Sequence, residues 1–432
     1  MRRFYFLFLF FIGFLKFEAQ IDTSFWFVAP DISSSLGQSP IKMYFTTYNT
    51  PSTVYLRQPS NGAFVPITKV IPAFTVDSVD LTTFIATVEN TPANSTLNRG
   101  IYISATTSIS VVYTIKSATH KEMLSLKGQK AVGTDFYTPF QNQWRTAMPT
   151  PTTNPRSASA IDIVATRNNT SVLITPRANI VGHVKDVSFL VVLQAGETFS
   201  CQDTTTTAPT KLAGSIVSSD KPIAITVSSS NLLNGGCNST VADQITNSNF
   251  AGNDFVVAKG QSGGDKFFIL ATVNSTSLTI YNGTSTVQTL INTGETYSSN
   301  ISQPLTYIKS TKPVYVIHVS AHGCKLSGAQ VPHFYCAGTY STSFTRTNSD
   351  SLSINVFTRN GNQGNFSLLS NSVSQPIGAS SFSVVPGTGG NVVAAKIYYT
   401  TTQIPVGSYN IISNPGDIYG FGTHQGSSQR GS

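Results

Sequence analysis

The feature that most limits the fold of this chain is an internal repeat. The segment Ala165-Thr-Arg-Asn-Asn-Thr-Ser-Val172 returns as Ala271-Thr-Val-Asn-Ser-Thr-Ser-Leu278, an offset of 106 residues. Looser copies run from Thr46 to Val54 and from Phe357 to Gly361, the latter followed by Asn365 to Leu368. Each reads as strand, polar turn, strand. Gly196-Glu-Thr-Phe-Ser200 is matched by Gly294-Glu-Thr-Tyr-Ser298. A second element, a turn leading into a buried strand, covers Ser218 to Val227 and Lys309 to His318, with a copy lacking proline at Ser104 to Val112. Pro222 and Pro313 suit the first residue of a strand, where no N–H is needed. A third element, at Val132 to Phe136, Ala251 to Phe255 and Ala337 to Tyr340, reads as the close of each unit.

One unit holds about eight short runs of β-branched or aromatic residues, which makes two four-stranded sheets per unit. The fold class is therefore all-β and repeat-built. Two architectures satisfy the count: a β-propeller of about seven or eight blades, or tandem β-sandwiches. The propeller is preferred, because halves of a unit match blade length and no Pro- or Gly-rich linker separates the units. Ring closure would pair the strand at Phe25 to Val28 with late strands near Ile397 and Tyr409.

Residues 1–19 read as a signal peptide: Arg2 and Arg3, then an apolar run from Phe4 to Leu15 that is too short to span a bilayer, then cleavage after Ala19. The repeat domain takes 20–426, and 427–432 is a Gly/Ser tail consistent with a chain cut from something longer. Only 11% of residues are charged, about half the usual share, so hydration rests on hydroxyls and amides. The formal charge of +8 falls to +6 without Arg2, Arg3, Lys16 and Glu18. No Lys/Arg run marks a nucleic-acid groove. Four cysteines, Cys201, Cys237, Cys324 and Cys336, are expected in disulfides after export. Three pairings are open, and proximity favours Cys201 with Cys237 and Cys324 with Cys336. A zinc site built from His322, Cys324, His333 and Cys336 is the lesser reading, since the spacing matches no recognised finger.

Signs of catalysis are sparse. The chain has 14 Asp and 5 Glu, of which Asp243 and Asp254 are the carboxylates to suspect, against a plainer role in capping turns. No nucleophile elbow, zincin, phosphate-binding loop or EF-hand pattern is present. His318 and His322 fall on one strand about 13 Å apart, too far for one metal. Eight Asn-x-Ser/Thr sites, at Asn94, Asn168, Asn169, Asn238, Asn274, Asn282, Asn300 and Asn365, are no more than this composition gives by chance.

The succession Arg99 to Ser104, Ala165 to Val172 with Gly196-Glu197, Gly214 to Ala224, Asp243-Gln244 and Gly252 to Phe255 resembles the N-terminal domain family of IgGFc-binding proteins, over roughly residues 25 to 425. The leader and Phe25 to Pro30 look more like its bacterial surface-protein branch, and the cysteines are fewer than in the animal branch. The resemblance implies a secreted or cell-surface binding or adhesion module, non-catalytic, that recognises a protein or glycan partner on an extracellular surface or matrix. The residues themselves lead to the expectation of no cofactor, no metal, no nucleic acid and no membrane insertion of the mature chain. The alternatives are a secreted carbohydrate-active enzyme on the same scaffold, or an architectural spacer of a surface filament. Two carboxylates converging within about 5 to 10 Å would favour the hydrolase. A polar face with exposed Tyr and Trp144 would favour binding.

Overall fold

The computed structural model describes residues 21–32, 39–116, 121–146, 158–205, 207, 212–261, 263–334, 339–417 and 419–426, so the expected leader, Cys336 and the Gly/Ser tail lie outside the described residues. The first repeat consists of β1 (Asp22–Phe27), β2 (Ile41–Thr47), β3 (Ser52–Arg57), β4 (Ile67–Ile71), β5 (Val76–Asp80), β6 (Ile101–Lys116) and β7 (Lys121–Ser125). All seven join one antiparallel sheet through β6. The first half of β6 lies between β1 and the β3–β4 hairpin, and its second half between β2 and β7, with β5 beyond β2. One bent strand thus serves two four-stranded half-sheets. Their inner faces, carrying Phe27, Met43, Phe45, Leu56, Ile103 and Val111, close over a single core.

The pattern recurs. The second repeat is β8 (Val132–Thr138), β9 (Ser159–Ala165), β10 (Thr170–Thr175), β11 (Phe189–Leu193), β12 (Thr198–Gln202), β13 (Ser215–Asn234) and β14 (Cys237–Gln244). The third is β15 (Gly252–Ala258), β16 (Lys266–Ala271), β17 (Thr276–Asn282), β18 (Ser285–Ile291), β19 (Thr296–Asn300), β20 (Leu305–His322) and β21 (Lys325–Val331). Each has its own core under both half-sheets. The fourth repeat divides into β22 (Ser341–Thr345), β23 (Ser351–Arg359), β24 (Ser367–Ser370), β25 (Val373–Pro376), β26 (Ser383–Val384), β27 (Val392–Tyr399), β28 (Tyr409–Ser413) and β29 (Gly420–Gly426). Here Asn414-Pro415-Gly416-Asp417 cuts the long strand in two, so the half-sheets β22-β28-β24-β25 and β26-β27-β23-β29 separate while still sharing one core.

The all-β class is as expected; the two four-stranded sheets expected per repeat are found as such in the fourth, while in the first three they are fused through one long strand into a seven-stranded sheet. The preferred propeller is not confirmed. Blades would be separate sheets, whereas a continuous strand and a common core bind each pair of half-sheets into a sandwich. Nor does the early strand close a ring of blades: β1 pairs with β6 of its own repeat, while Ile397 and Tyr409 pair within the fourth. The four sandwiches nevertheless close on each other. Repeats one and two meet where the Gly100 N–H donates to the Gly196 carbonyl at 3.1 Å. Repeats two and three meet in the same way, Gly214 against Gly294, where a methyl on Gly214 would stand 2.6 Å from the Gly294 Cα. Lys396 Nζ donates to the Lys259 and Gly260 carbonyls between repeats three and four. Repeat four returns to repeat one through a buried ion pair, Lys121 Nζ to Asp350 Oδ2 at 2.7 Å. The accessible surface of 17462 Å² is near the roughly 16,000 Å² of one packed body of this mass.

The repeated motifs turn out to be corner chemistry. In repeat two, the Asn168-Asn169 turn takes Asn169 into the left-handed region at φ 53°, where asparagine is tolerated. Asn168 Oδ1 accepts from the Ala195 N–H, and Lys221 Nζ donates to the carbonyls of both asparagines. In repeat three, Asn274 Oδ1 accepts from Thr293 N–H, and Lys312 Nζ donates to the Asn274 carbonyl. Glu197 and Glu295 each accept from an N–H three residues back, closing the Gly-Glu turns. Three motifs far apart in sequence therefore meet at one corner of the sandwich in repeats two and three. Pro222 and Pro313 do not begin strands. They lie inside β13 and β20 at the irregular step where the ladder slips and the strand bends from one half-sheet to the other. The element expected to close each unit opens the next: Val132 to Phe136 is β8, which pairs with β13.

Candidate functional site

Where the repeats converge they enclose an open cavity of about 240 Å³. Tyr44, Met123 and Ser125 come from repeat one, Asp243 from repeat two, Val256, His318 and Gln330 from repeat three, and Phe344, Asn355, Phe421 and His424 from repeat four. The mixture arises because β7, β21, β22 and β29, which come from different sandwiches, all border the cavity; β7 turns alternate residues to it, and the other three contribute consecutive residues. A concave, mainly apolar site with a few convergent polar groups is the usual form of a binding pocket.

Of the two suspected carboxylates, only Asp243 reaches this wall. Lys127 Nζ stands 2.7 Å from its Oδ2, and the Gln330 N–H donates to the same oxygen at 2.8 Å. Burial pushes the Asp243 carboxyl above its ordinary range, and Lys127 only partly offsets it. Asp254 lies elsewhere and accepts from the Tyr307 hydroxyl. Among the described residues Asp243 is the only carboxylate in the cavity lining; Glu122, near enough to feel its charge, is fully buried behind the wall. Trp144, expected at an exposed binding face, is half-buried with its ring edge-on to Phe268.

A second grouping went unseen in the sequence. His318 does not meet His322; it meets His424. Their ring centroids are 5.4 Å apart, and His318 Nε2 lies 2.8 Å from Oδ2 of the fully buried Asp265. One ring nitrogen of each histidine and an Asp265 oxygen all fall within 4.8 Å of one another. Burial alone would raise the Asp265 carboxyl, but the hydrogen bond and charge of His318, with the N–H groups of Gly260 and Ala321, hold it below its usual value. Burial first, and the neighbouring His318 second, depress His424 to about 3, so it stays a neutral imidazole. Its Nδ1 is 2.9 Å from the side-chain amide of Asn355. The repeat explains why the two rings meet. His318 pairs across the ladder with Phe267, and His424 with Ser353, and each of those partners stands seven residues before the asparagine of its repeat's turn, Asn274 or Asn360. They are equivalent positions of successive repeats, placed side by side at a repeat–repeat junction. The 106-residue offset between His318 and His424 was the available signal.

Among the described residues one disulfide is formed, and it crosses from one repeat to the next. Cys237 at the β13–β14 turn is bonded to Cys324 at the β20–β21 turn, with Cα atoms 5.5 Å apart. Cys201 is a free, buried thiol in the core of repeat two, where burial pushes it well up. The expected Cys201–Cys237 and Cys324–Cys336 pairs are corrected accordingly, and Cys324, being oxidised, offers no thiolate to a zinc ion. Proximity in sequence misled because hairpin tips of successive repeats lie against each other.

A family model described as IgGFc binding protein matches residues 121–411, from β7 of the first repeat into β28 of the fourth. No curated protein matches the chain.

Proposed function

Since this chain belongs to the IgGFc-binding protein family, a family of binding proteins, we propose that it is a secreted or cell-surface module that captures a protein partner at the inter-repeat cavity, without chemistry on it. The observation that carries this reading is the cavity itself, walled by all four repeats. Its aromatic edges, Phe344 and Phe421, stand beside neutral hydrogen-bonding groups such as Gln330, Asn355 and Ser125. Such a surface suits an inserted loop or side chain of a folded partner. The low charge content argues for recognition by shape and hydrogen bonds more than by electrostatic steering.

The family's description names the Fc part of immunoglobulin G, which makes Fc the first protein to try. Immobilised chain is exposed to Fc fragment, to a mixture of extracellular proteins and to a glycan array. It is compared with Gly422→Phe, whose new side chain starts where no atom lies within 4 Å and so enters the cavity lining without backbone strain. Retention of a protein by the wild type and its loss in Gly422→Phe is the expected result. Retention of glycans alone, undiminished protein retention by Gly422→Phe, or no retention at all would each overturn the proposal.

A further inference from the structure

We infer that Asp265, His318 and His424 form a binding site for a divalent first-row transition ion, zinc foremost. The donor set is two imidazole nitrogens and one carboxylate oxygen, with the cavity on the open side. That is the composition of three-ligand zinc sites that keep a fourth position free for water or an incoming group. Ligands of a tetrahedral zinc lie about 3.3 Å apart when each is about 2.0 to 2.1 Å from the metal. The Asp265–His318 separation of 2.8 Å falls just short of this, and the 4.8 Å within which the whole group lies exceeds it by about 1.5 Å. Small side-chain rotations suffice.

A buried His–Asp ion pair would explain Asp265 and His318 on their own. It leaves His424, which the packing of successive repeats sets beside them, without a role, and does not account for its relation to Asn355. That amide is 1% exposed, and its Oδ1 has no hydrogen-bond partner while its Nδ2 faces His424 Nδ1. Exchanging the two amide atoms, which have nearly the same shape, turns Oδ1 toward the ring. His424 Nδ1–H then donates to Asn355, and the lone pair of Nε2 is left free for a metal. Holding a ligand histidine by its other nitrogen is the usual supporting arrangement. Asp265 is likewise anchored, by the N–H groups of Gly260 at 2.6 Å and Ala321 at 3.1 Å. A nearby cation, Lys396, is turned onto the Lys259 and Gly260 carbonyls, so it weakens the site electrostatically without occupying a ligand.

The inference stands or falls apart from any protein partner. Untagged chain is stripped with EDTA, dialysed into metal-free buffer and titrated with zinc chloride by calorimetry, with bound metal counted by elemental analysis. Cobalt(II) replaces zinc in a parallel sample to give a visible ligand-field spectrum. One ion per chain is expected, with affinity at least about 100-fold lower in His318→Gln and in His424→Gln, and lower by about 10- to 100-fold in Asn355→Leu. His322→Gln, altered elsewhere on the same strand, should bind as the wild type does. Melting temperatures in EDTA show which variants fold, and His424→Gln carries the test if His318→Gln does not. Absence of bound zinc in the wild type, or zinc retained by a folded His424→Gln with unchanged affinity, would overturn the assignment.

Discussion

The cross-repeat disulfide offers the sharpest energetic prediction. The Cys237–Cys324 bond closes a loop of 87 residues and ties the hairpin tip of repeat two to that of repeat three. In the chain-entropy picture, a loop of this length removes about 15 cal/mol/K from the unfolded chain, or about 4.6 kcal/mol at 25 °C. The native contacts around the bond remain without it: Leu326 N–H donates to Ser239 Oγ at 3.0 Å, and Lys325 Nζ to the Asn238 carbonyl at 3.0 Å. The loss therefore falls on the unfolded state, and the double variant Cys237→Ser, Cys324→Ser should be less stable by about 2 to 5 kcal/mol. Urea unfolding monitored by tyrosine and tryptophan fluorescence, with and without reductant, measures it. Reductant should lower the wild-type midpoint to that of the double variant and leave the variant unmoved. Cys201→Ser is the discriminating control, because in a Cys201–Cys237 pairing it would abolish the reductant effect, and here it must leave that effect intact. A double variant within experimental error of the wild type, or a reductant effect lost in Cys201→Ser, would refute the reasoning.

Three further outcomes follow from single sites. At the junction of repeats one and two, burial raises Asp31 to about 6 and Asp162 to about 7, leaving Asp31 Oδ1 and Asp162 Oδ2 unpaired. The folded state holds these protons where the unfolded state has released them, so stability should fall as pH rises from about 4 to about 7; Asp162→Asn should flatten that slope in melts across the window. Gly214→Ala should cost about 2 to 5 kcal/mol by urea unfolding, because φ is 80° and its methyl would press on the Gly294 backbone of the next repeat. Arg346, 2% exposed, donates to the carbonyls of Asn348, Tyr399, Ile404 and Asp350, so Arg346→Met should cost at least about 3 kcal/mol by the same assay, and a cost below about 1 would show those carbonyls are not held by it.

The repeat and the strand count could be read from the residues because turn chemistry is local: an asparagine turn, a Gly-Glu turn and a Lys-Pro step each announce themselves. What they build was not legible. Pro222 reads as a strand start, yet the strand passes through it, because a bulge needs no ladder N–H at that step and the flanking runs share one core. The disulfide and the Asp265–His318–His424 group depend on which repeats touch, and nothing local in β14, β20 or β29 encodes that. Gly100, Gly196, Gly214 and Gly294 do encode it in retrospect, since only glycine allows such close approach of backbone to backbone. Their spacing was visible, but their pairing across repeats was not.

The closing of four sandwiches around a shared cavity underlies both the proposed binding site and the proposed metal site, and small-angle X-ray scattering of residues 21–432 tests it most directly. A packed ring of about 410 residues should have a radius of gyration of about 22 Å. Four independent sandwiches of about 100 residues, each with a radius of gyration of about 13 Å and strung about 34 Å apart, would give about 40 Å. A value near the first is predicted, and one near the second would contradict the ring and both sites with it.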